Sequence, residues 1–340
     1  MKFLFSNEIS PNKFPNQLKL ILNNKIIEPI LIKINPIKIK FFPKFILKFT
    51  NKFIYIMIPF NSTSNLNTNI CHFIHANGFH PNGYKTLLSS LSKEYQIKSV
   101  LLRQFWDNKI DKHKIDDWDI FLDDIYKYFE ENNVDNQFAI GHSIGGNLLL
   151  RSVLKNDKLF KSIVLLDPTI FSPKTILLWR LFSAIESNRF LYKLNPIKLI
   201  NTAKSRKIYY RNHNEIFDSY RKKKVFSKIR DKELMNYIKS IFIQKENKVK
   251  LAYKLDWEIS MYLKAGIKDF SIWHNLNKLK TPTLIIIPDN SAVLRKDAVK
   301  KISKNKLITI KTIHNSTHLF PLEHPTKTSR IILDYFKQIA

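Results

Sequence analysis

Cysteine and glycine are nearly absent from this 340-residue chain, which has one cysteine, Cys71, and six glycines. A single thiol excludes an intramolecular disulfide framework and any cysteine-cluster zinc or iron–sulfur site. Cys71 lies in the apolar run NICHFI, Asn69 to Ile74, so it reads as a buried, inert thiol. Acidic residues are scarce as well: 28 Asp and Glu stand against 57 Lys and Arg, a net charge of +29. That balance ordinarily points to nucleic acid or an anionic surface. Here the lysines are spread along the whole chain among Asn, Ile and Phe, so a compositional bias accounts for them, and no specific nucleic-acid partner is expected. Weak association with a membrane surface stays open, because neutralising phosphate depends on charge alone.

A clean, long apolar run is missing too. Phe41 to Phe60 is long enough to cross a bilayer, but Lys44, Lys48 and Lys52 interrupt it. Each would cost about 2.5 kcal/mol or more near the centre of a span, so no transmembrane segment is expected. The start of the chain lacks the charged, apolar, small-residue progression of a secretory signal. Residues 1–50 read as a basic, apolar N-terminal extension, in which Pro11, Pro15, Pro29, Pro36 and Pro43 argue against one long helix. The expected location is cytoplasmic, with peripheral membrane association or organelle targeting through residues 1–50 as alternatives.

What is present is organised around Phe138 to Leu150, FAIGHSIGGNLLL. An apolar strand runs into Gly141-His142-Ser143-Ile144-Gly145-Gly146 and then into an apolar helix, the context of a G-x-S-x-G nucleophile elbow. Three of the six glycines sit here and two more, Gly78 and Gly83, in HANGFHPNG. A chain that avoids glycine elsewhere has kept it where the backbone must close tightly. Strands alternate with helices on either side. Asn69–Ile74, Ile97–Arg103, Ser162–Pro168, Thr281–Pro288 and Leu307–Ile313 read as strands, and Asn51–Phe60 as a first one. Helices are expected after Gly83, over Asp116–Asn132, over Gly145–Lys155 and over Pro325–Ile339. The pattern predicts an α/β fold with a mainly parallel central sheet flanked by helices.

Between Thr169 and Lys280 the alternation stops. Helical runs such as Lys174–Glu186 and Glu215–Ile229 appear without a convincing strand. The chain thus divides into an extension (1–50), a core (51–168 and 281–340) and an inserted helical cap (169–280).

Acyl transfer at neutral pH needs a hydroxyl nucleophile, a base, an acid that orients the base, and N–H donors for the oxyanion. Ser143, then Asp167 or Asp289 at strand ends, then His318 after the last strand supply nucleophile, acid and base in that chain order. His314 and His324 compete with His318, and a zinc reading of the three histidines is weak because their segment is a loop.

With HANGF, GHSIGG, LLDP and HLFPLEHP in this order, the chain resembles the capped serine-hydrolase branch of the α/β-hydrolase superfamily over roughly residues 69–340. The resemblance makes Ser143 the nucleophile and His318 the general base, and gives the oxyanion to the backbone N–H groups of Asn77 and Ile144. It assigns His142 and His75 to bracing the loops. Two positions depart from the pattern: Thr317 stands where a glycine is usual, and Ala292 where relatives carry the acid. Asp167 is the preferred substitute and Asp289 the alternative. The implied activity is hydrolysis of a small-molecule ester or related acyl substrate, without cofactor or metal. A non-catalytic or acyltransferase member of the same fold, associating with polyanions or membranes through its basic surface, is the alternative.

Overall fold

The computed structural model describes residues 69–106, 117–177, 195–266 and 268–339. It adds the backbone of five short strands before them: β1 (Lys2–Phe3), β2 (Leu20–Leu22), β3 (Lys25–Ile27), β4 (Leu47–Thr50) and β5 (Phe53–Ile56). The first three pair with one another in a small antiparallel sheet.

The central sheet has eight strands. Six are parallel: β6 (Ile70–Ile74), β7 (Gln96–Val100), β8 (Gln137–His142), β9 (Phe160–Leu166), β13 (Thr283–Pro288) and β14 (Ile308–Ile313). Their order across the sheet is β14-β13-β9-β8-β6-β7, and β5 and β4 extend it antiparallel beyond β7. Leu47–Thr50 was expected in the extension; instead it pairs with Phe53–Ile56, so the sheet begins before residue 51.

The inner strands β6, β8, β9 and β13 are buried on both faces because helices cover both. Successive residues divide accordingly: Ala139, Ile163, Leu165 and Ile285 enter one core with Phe121, Leu148 and Leu149. Ile140, Val164, Leu166, Leu284 and Ile286 enter the other, with Leu87, Leu88, Phe320 and Phe336. The helices concerned are α1 (Lys85–Leu91), α2 (Asp119–Glu131), α3 (Ile144–Lys155) and, near the C-terminus, α9 (Lys296–Ile302), α10 (Phe320–Glu323) and α11 (Pro325–Ile339). Cys71 is buried, and burial pushes its thiol pKa up, as expected for an inert side chain.

The segment between β9 and β13 holds α4 (Asn195–Lys204), α5 (His213–Arg221), α6 (Asp231–Ile241), α7 (Leu255–Leu263) and α8 (Phe270–Asn275). The predicted helix Lys174–Glu186 falls mostly outside the described residues, of which 173–177 are helical. The expectation of a strand-free segment does not hold: β10 (Tyr209–Tyr210), β11 (Phe242–Lys245) and β12 (Lys248–Leu251) make a three-stranded antiparallel sheet. These strands are two to four residues long, too short to show a period in the sequence. Among the described residues, no helix is long and apolar enough to cross a membrane.

Candidate active site

Ligand sites of open parallel sheets lie beyond the carboxyl ends of the strands. Ser143 follows β8, Asp167 follows β9, Asn77 follows β6, Asp289 follows β13 and His318 lies in the loop after β14. Sheet register sets two of these positions directly. The Ser143 N–H donates to Leu166 O (3.0 Å) and the Asp167 N–H to Ile286 O (2.8 Å), so each residue caps its strand against the next.

Ser143 has φ 58° and ψ −117°, the strained conformation of a strand-to-helix elbow. What permits it is small neighbours. A β-carbon on Gly145 would collide with the carbonyl oxygens of Ile74 and His75, where the Asn77 loop begins. The elbow and that loop are therefore in backbone contact, which brings the N–H groups of Ile144 and Asn77 to the same end of the sheet. Gly78 turns the loop with φ 75°, a region glycine enters freely.

His318 Nδ1 lies 2.6 Å from Asp167 Oδ2. Asp167 is wholly buried and His318 is 26% exposed along its side chain. Because a carboxylate only accepts, Nδ1 carries the proton and Nε2 is the basic nitrogen. Asp167 itself has φ 39°, a second strained residue in the site. Asp289 goes elsewhere. Its Oδ1 accepts from His314 Nδ1 at 2.6 Å and its Oδ2 from the Asn315 N–H, and the first of these holds its pKa below the usual carboxylate value. Asp289, the alternative acid, is thus the partner of His314 and not of His318. His324 makes no such pair; its Nε2 is buried without a partner.

The Ser143 hydroxyl lies 3.1 Å from Thr169 Oγ1, and its bond is to Thr169 rather than to His318. Thr169 is bound to the elbow twice more. Its N–H donates to Ser143 O (3.0 Å), and its carbonyl accepts from Asn147 Nδ2 (2.7 Å). Asn147 Nδ2 also donates to Asp269 Oδ1, whose other oxygen accepts from the Phe171 N–H. Burial raises the Asp269 pKa to about 6.

His142 and His75 brace the surrounding loops, as expected. His142 Nε2–H donates to His318 O (3.0 Å), and its Nδ1 accepts from the Tyr84 hydroxyl (2.7 Å). His75 Nδ1–H donates to Ala76 O (2.8 Å), and its Nε2 accepts from the Leu102 N–H (3.0 Å). Both arrangements require neutral imidazole. Burial holds His75 down to about 3 and His142 well below the ordinary value, with the nearby His318 adding to the latter.

Thr317, in place of the usual glycine, has no positive φ to accommodate. Its hydroxyl donates to Glu323 Oε1 (2.6 Å) and accepts from the Leu319 N–H (3.2 Å), tying down the His318 turn. On the opposite flank, Asn77 Nδ2 donates to Glu258 O (3.1 Å). The Glu258 carboxylate, 2% exposed, accepts from Arg206 Nη2 (2.8 Å) and from the Tyr253 hydroxyl (2.7 Å). Thr169, Tyr84, Asp269 and this ion pair went unrecognised in the sequence. Each acts through contacts distant in the chain, which no local pattern marks. Among the described residues no group of His, Cys, Asp and Glu is arranged to hold a metal.

Solved structures share this architecture. A peroxisomal α/β-hydrolase from Saccharomyces cerevisiae superposes with a TM-score of 0.63 at 17% identity, covering 79% of this chain and 77% of that one. E-2-(acetamidomethylene)succinate hydrolase gives 0.62 at 14% identity, covering 79% and 91%. A putative hydrolase from Rickettsia typhi gives 0.62 at 19% identity, covering 80% and 88%. No protein-family model matches the sequence. No curated protein matches it in sequence either. The chain has the α/β-hydrolase fold, with a mainly parallel sheet flanked by helices.

Proposed function

We infer that the protein is a serine hydrolase acting on an ester or related acyl bond of a small to medium apolar substrate, held beneath residues 169–280 as a cap. The observation that carries this reading is the buried Asp167 carboxylate on His318 Nδ1, at the same sheet end as a serine in elbow conformation. Asp167 orients His318 and stabilises the imidazolium. The Ser143 hydroxyl turns from Thr169 to His318 Nε2, gives up its proton there, and Oγ attacks the acyl carbon. The Asn77 and Ile144 N–H groups hold the resulting oxyanion. His318 then protonates the leaving alcohol, leaving an acyl-Ser143 ester. Water attacks that ester, giving its proton to His318, and the acid departs as Ser143 recovers the proton.

Several solved neighbours are named hydrolases, among them a thioesterase domain and an N-formylmaleamic acid deformylase, and so favour acyl chemistry. One observation favours a second reading, a non-catalytic member: the serine rests on Thr169 and not on the base. A fluorophosphonate probe separates the two. The hydrolase predicts covalent labelling of the wild type, absent in Ser143→Ala and reduced in His318→Ala. Equal labelling of wild type and Ser143→Ala, or none of either, contradicts it.

A further inference from the structure

The sheet of β10, β12 and β11 has one covered face and one bare one. Pairing sets Tyr209 opposite Lys250, Lys250 opposite Ile243, and Lys248 opposite Lys245. Residues directly opposed, and residues two apart along a strand, share a face. These five side chains therefore stand together. The reverse side carries Tyr210, Phe242, Val249 and Leu251, all buried, and an exposed Gln244 near the turn. On the outer side Tyr209 is 47% and Ile243 52% exposed. Lys245 and Lys248 are exposed, and half-buried Lys250 holds its Nζ 5.6 Å from the centre of the Tyr209 ring. Ile208, also exposed, leads into β10. Three of the seven large hydrophobic residues exposed among the described residues thus gather on this small sheet. No acid shares the face; Glu246 lies in the turn between β11 and β12.

Lysines on a short outer sheet can serve simply to repel another strand. That role gives no reason for a bare isoleucine flanked by a tyrosine in their midst. A nucleic-acid backbone would engage the lysines and leave Ile243 with nothing to bury against. A bilayer with anionic headgroups uses every group present: phosphates for the lysines, the interfacial layer for the amphipathic tyrosine, and the acyl boundary for isoleucine.

We propose that the Tyr209, Ile243, Lys245, Lys248 and Lys250 face docks the protein on an anionic phospholipid membrane. None of these residues belongs to the Ser143 site, and no chemistry at that site is needed for docking.

The test is sedimentation of the full chain with vesicles of phosphatidylcholine containing about 30% phosphatidylserine. Because the whole protein is basic, the control carries the same charge change elsewhere: Lys296, Lys300 and Lys304, exposed near α9, each replaced by Glu. A basic side chain near an anionic surface strengthens binding about fivefold, so Lys245→Glu, Lys248→Glu and Lys250→Glu together should weaken it by ~100-fold or more. The control should lose far less. Ile243→Ser, which keeps the charge, should weaken binding several-fold, and circular dichroism should show all variants folded. Equal losses in the two triple variants, no effect of Ile243→Ser, or no vesicle binding by the wild type would overturn the proposal. So would single-stranded RNA binding that needs the same lysines, with vesicle binding that does not.

Discussion

Two aspartate–histidine pairs lie in this molecule with the same 2.6 Å contact through Nδ1, Asp167 with His318 and Asp289 with His314. Their surroundings differ. Asp167 is wholly buried, whereas the Asp289 and His314 side chains are 37% and 79% exposed. An exposed pair trades one hydration for another and is worth little. A buried carboxylate has no water to fall back on, so its attraction for an adjacent imidazolium is far stronger. The pairs differ also in neighbourhood: His142 fixes the His318 backbone from beside Ser143, while the turn at His314 is tied through Asn315 to Asp289 and to exposed Lys228. Hydrogen-bond length alone does not separate the two pairs; burial and placement do.

The largest expected effect breaks the comparison at the histidines. On the proposed mechanism His318→Ala should lower ester turnover by up to ~10⁶-fold, as removal of a triad base does, while His314→Ala should stay within about twofold. Steady-state assays with a p-nitrophenyl ester measure both.

A second contrast lies in the backbone beneath each pair. Gly145 packs on the Ile74 and His75 carbonyls, so Gly145→Ala should cost on the order of 1–3 kcal/mol in urea unfolding and displace Ser143. In the turn beside Asp289, the exposed Ala292 should accept Gly or Ser at below about 0.5 kcal/mol.

Acid should destabilise the fold through its buried histidines. Burial depresses His72 to about 4 and His75 to about 3, while an unfolded chain titrates near 6.5. Below 6.5 the unfolded state binds protons that the folded state refuses, so each histidine's contribution is present above that value and is lost as pH falls. The rate is about 1.4 kcal/mol per pH unit for each. Asp269 works the other way. Raised to about 6, it favours the folded state as pH falls from there towards 3.8 and offsets about one histidine. Thermal melts at pH 7, 6, 5 and 4 should show falling stability, and Asp269→Asn should steepen the fall below pH 6.

Much of this was legible in the chain. Elbow glycines, apolar strands and the order of Ser143, Asp167 and His318 are local signals. The preference for Asp167 over Asp289 as the proposed acid rests on Ala292 lacking a carboxylate. What stayed hidden depends on register across the sheet or on contacts with the inserted segment. Thr169 under Ser143, Tyr84 on His142, and Arg206 with Glu258 beside Asn77 are pairings between residues 26 to 58 positions apart, with no local pattern. Strands as short as Tyr209–Tyr210 leave no alternation to find.

The two pairs also define the most direct measurement. Asp167→Asn and Asp289→Asn should be compared for turnover of one ester at one pH. Asp167→Asn should lose about 10⁴-fold in kcat, the cost of disturbing the acid in a serine triad, and Asp289→Asn less than about threefold. Comparable losses in both, or the larger loss in Asp289→Asn, would contradict the assignment of Asp167 to His318.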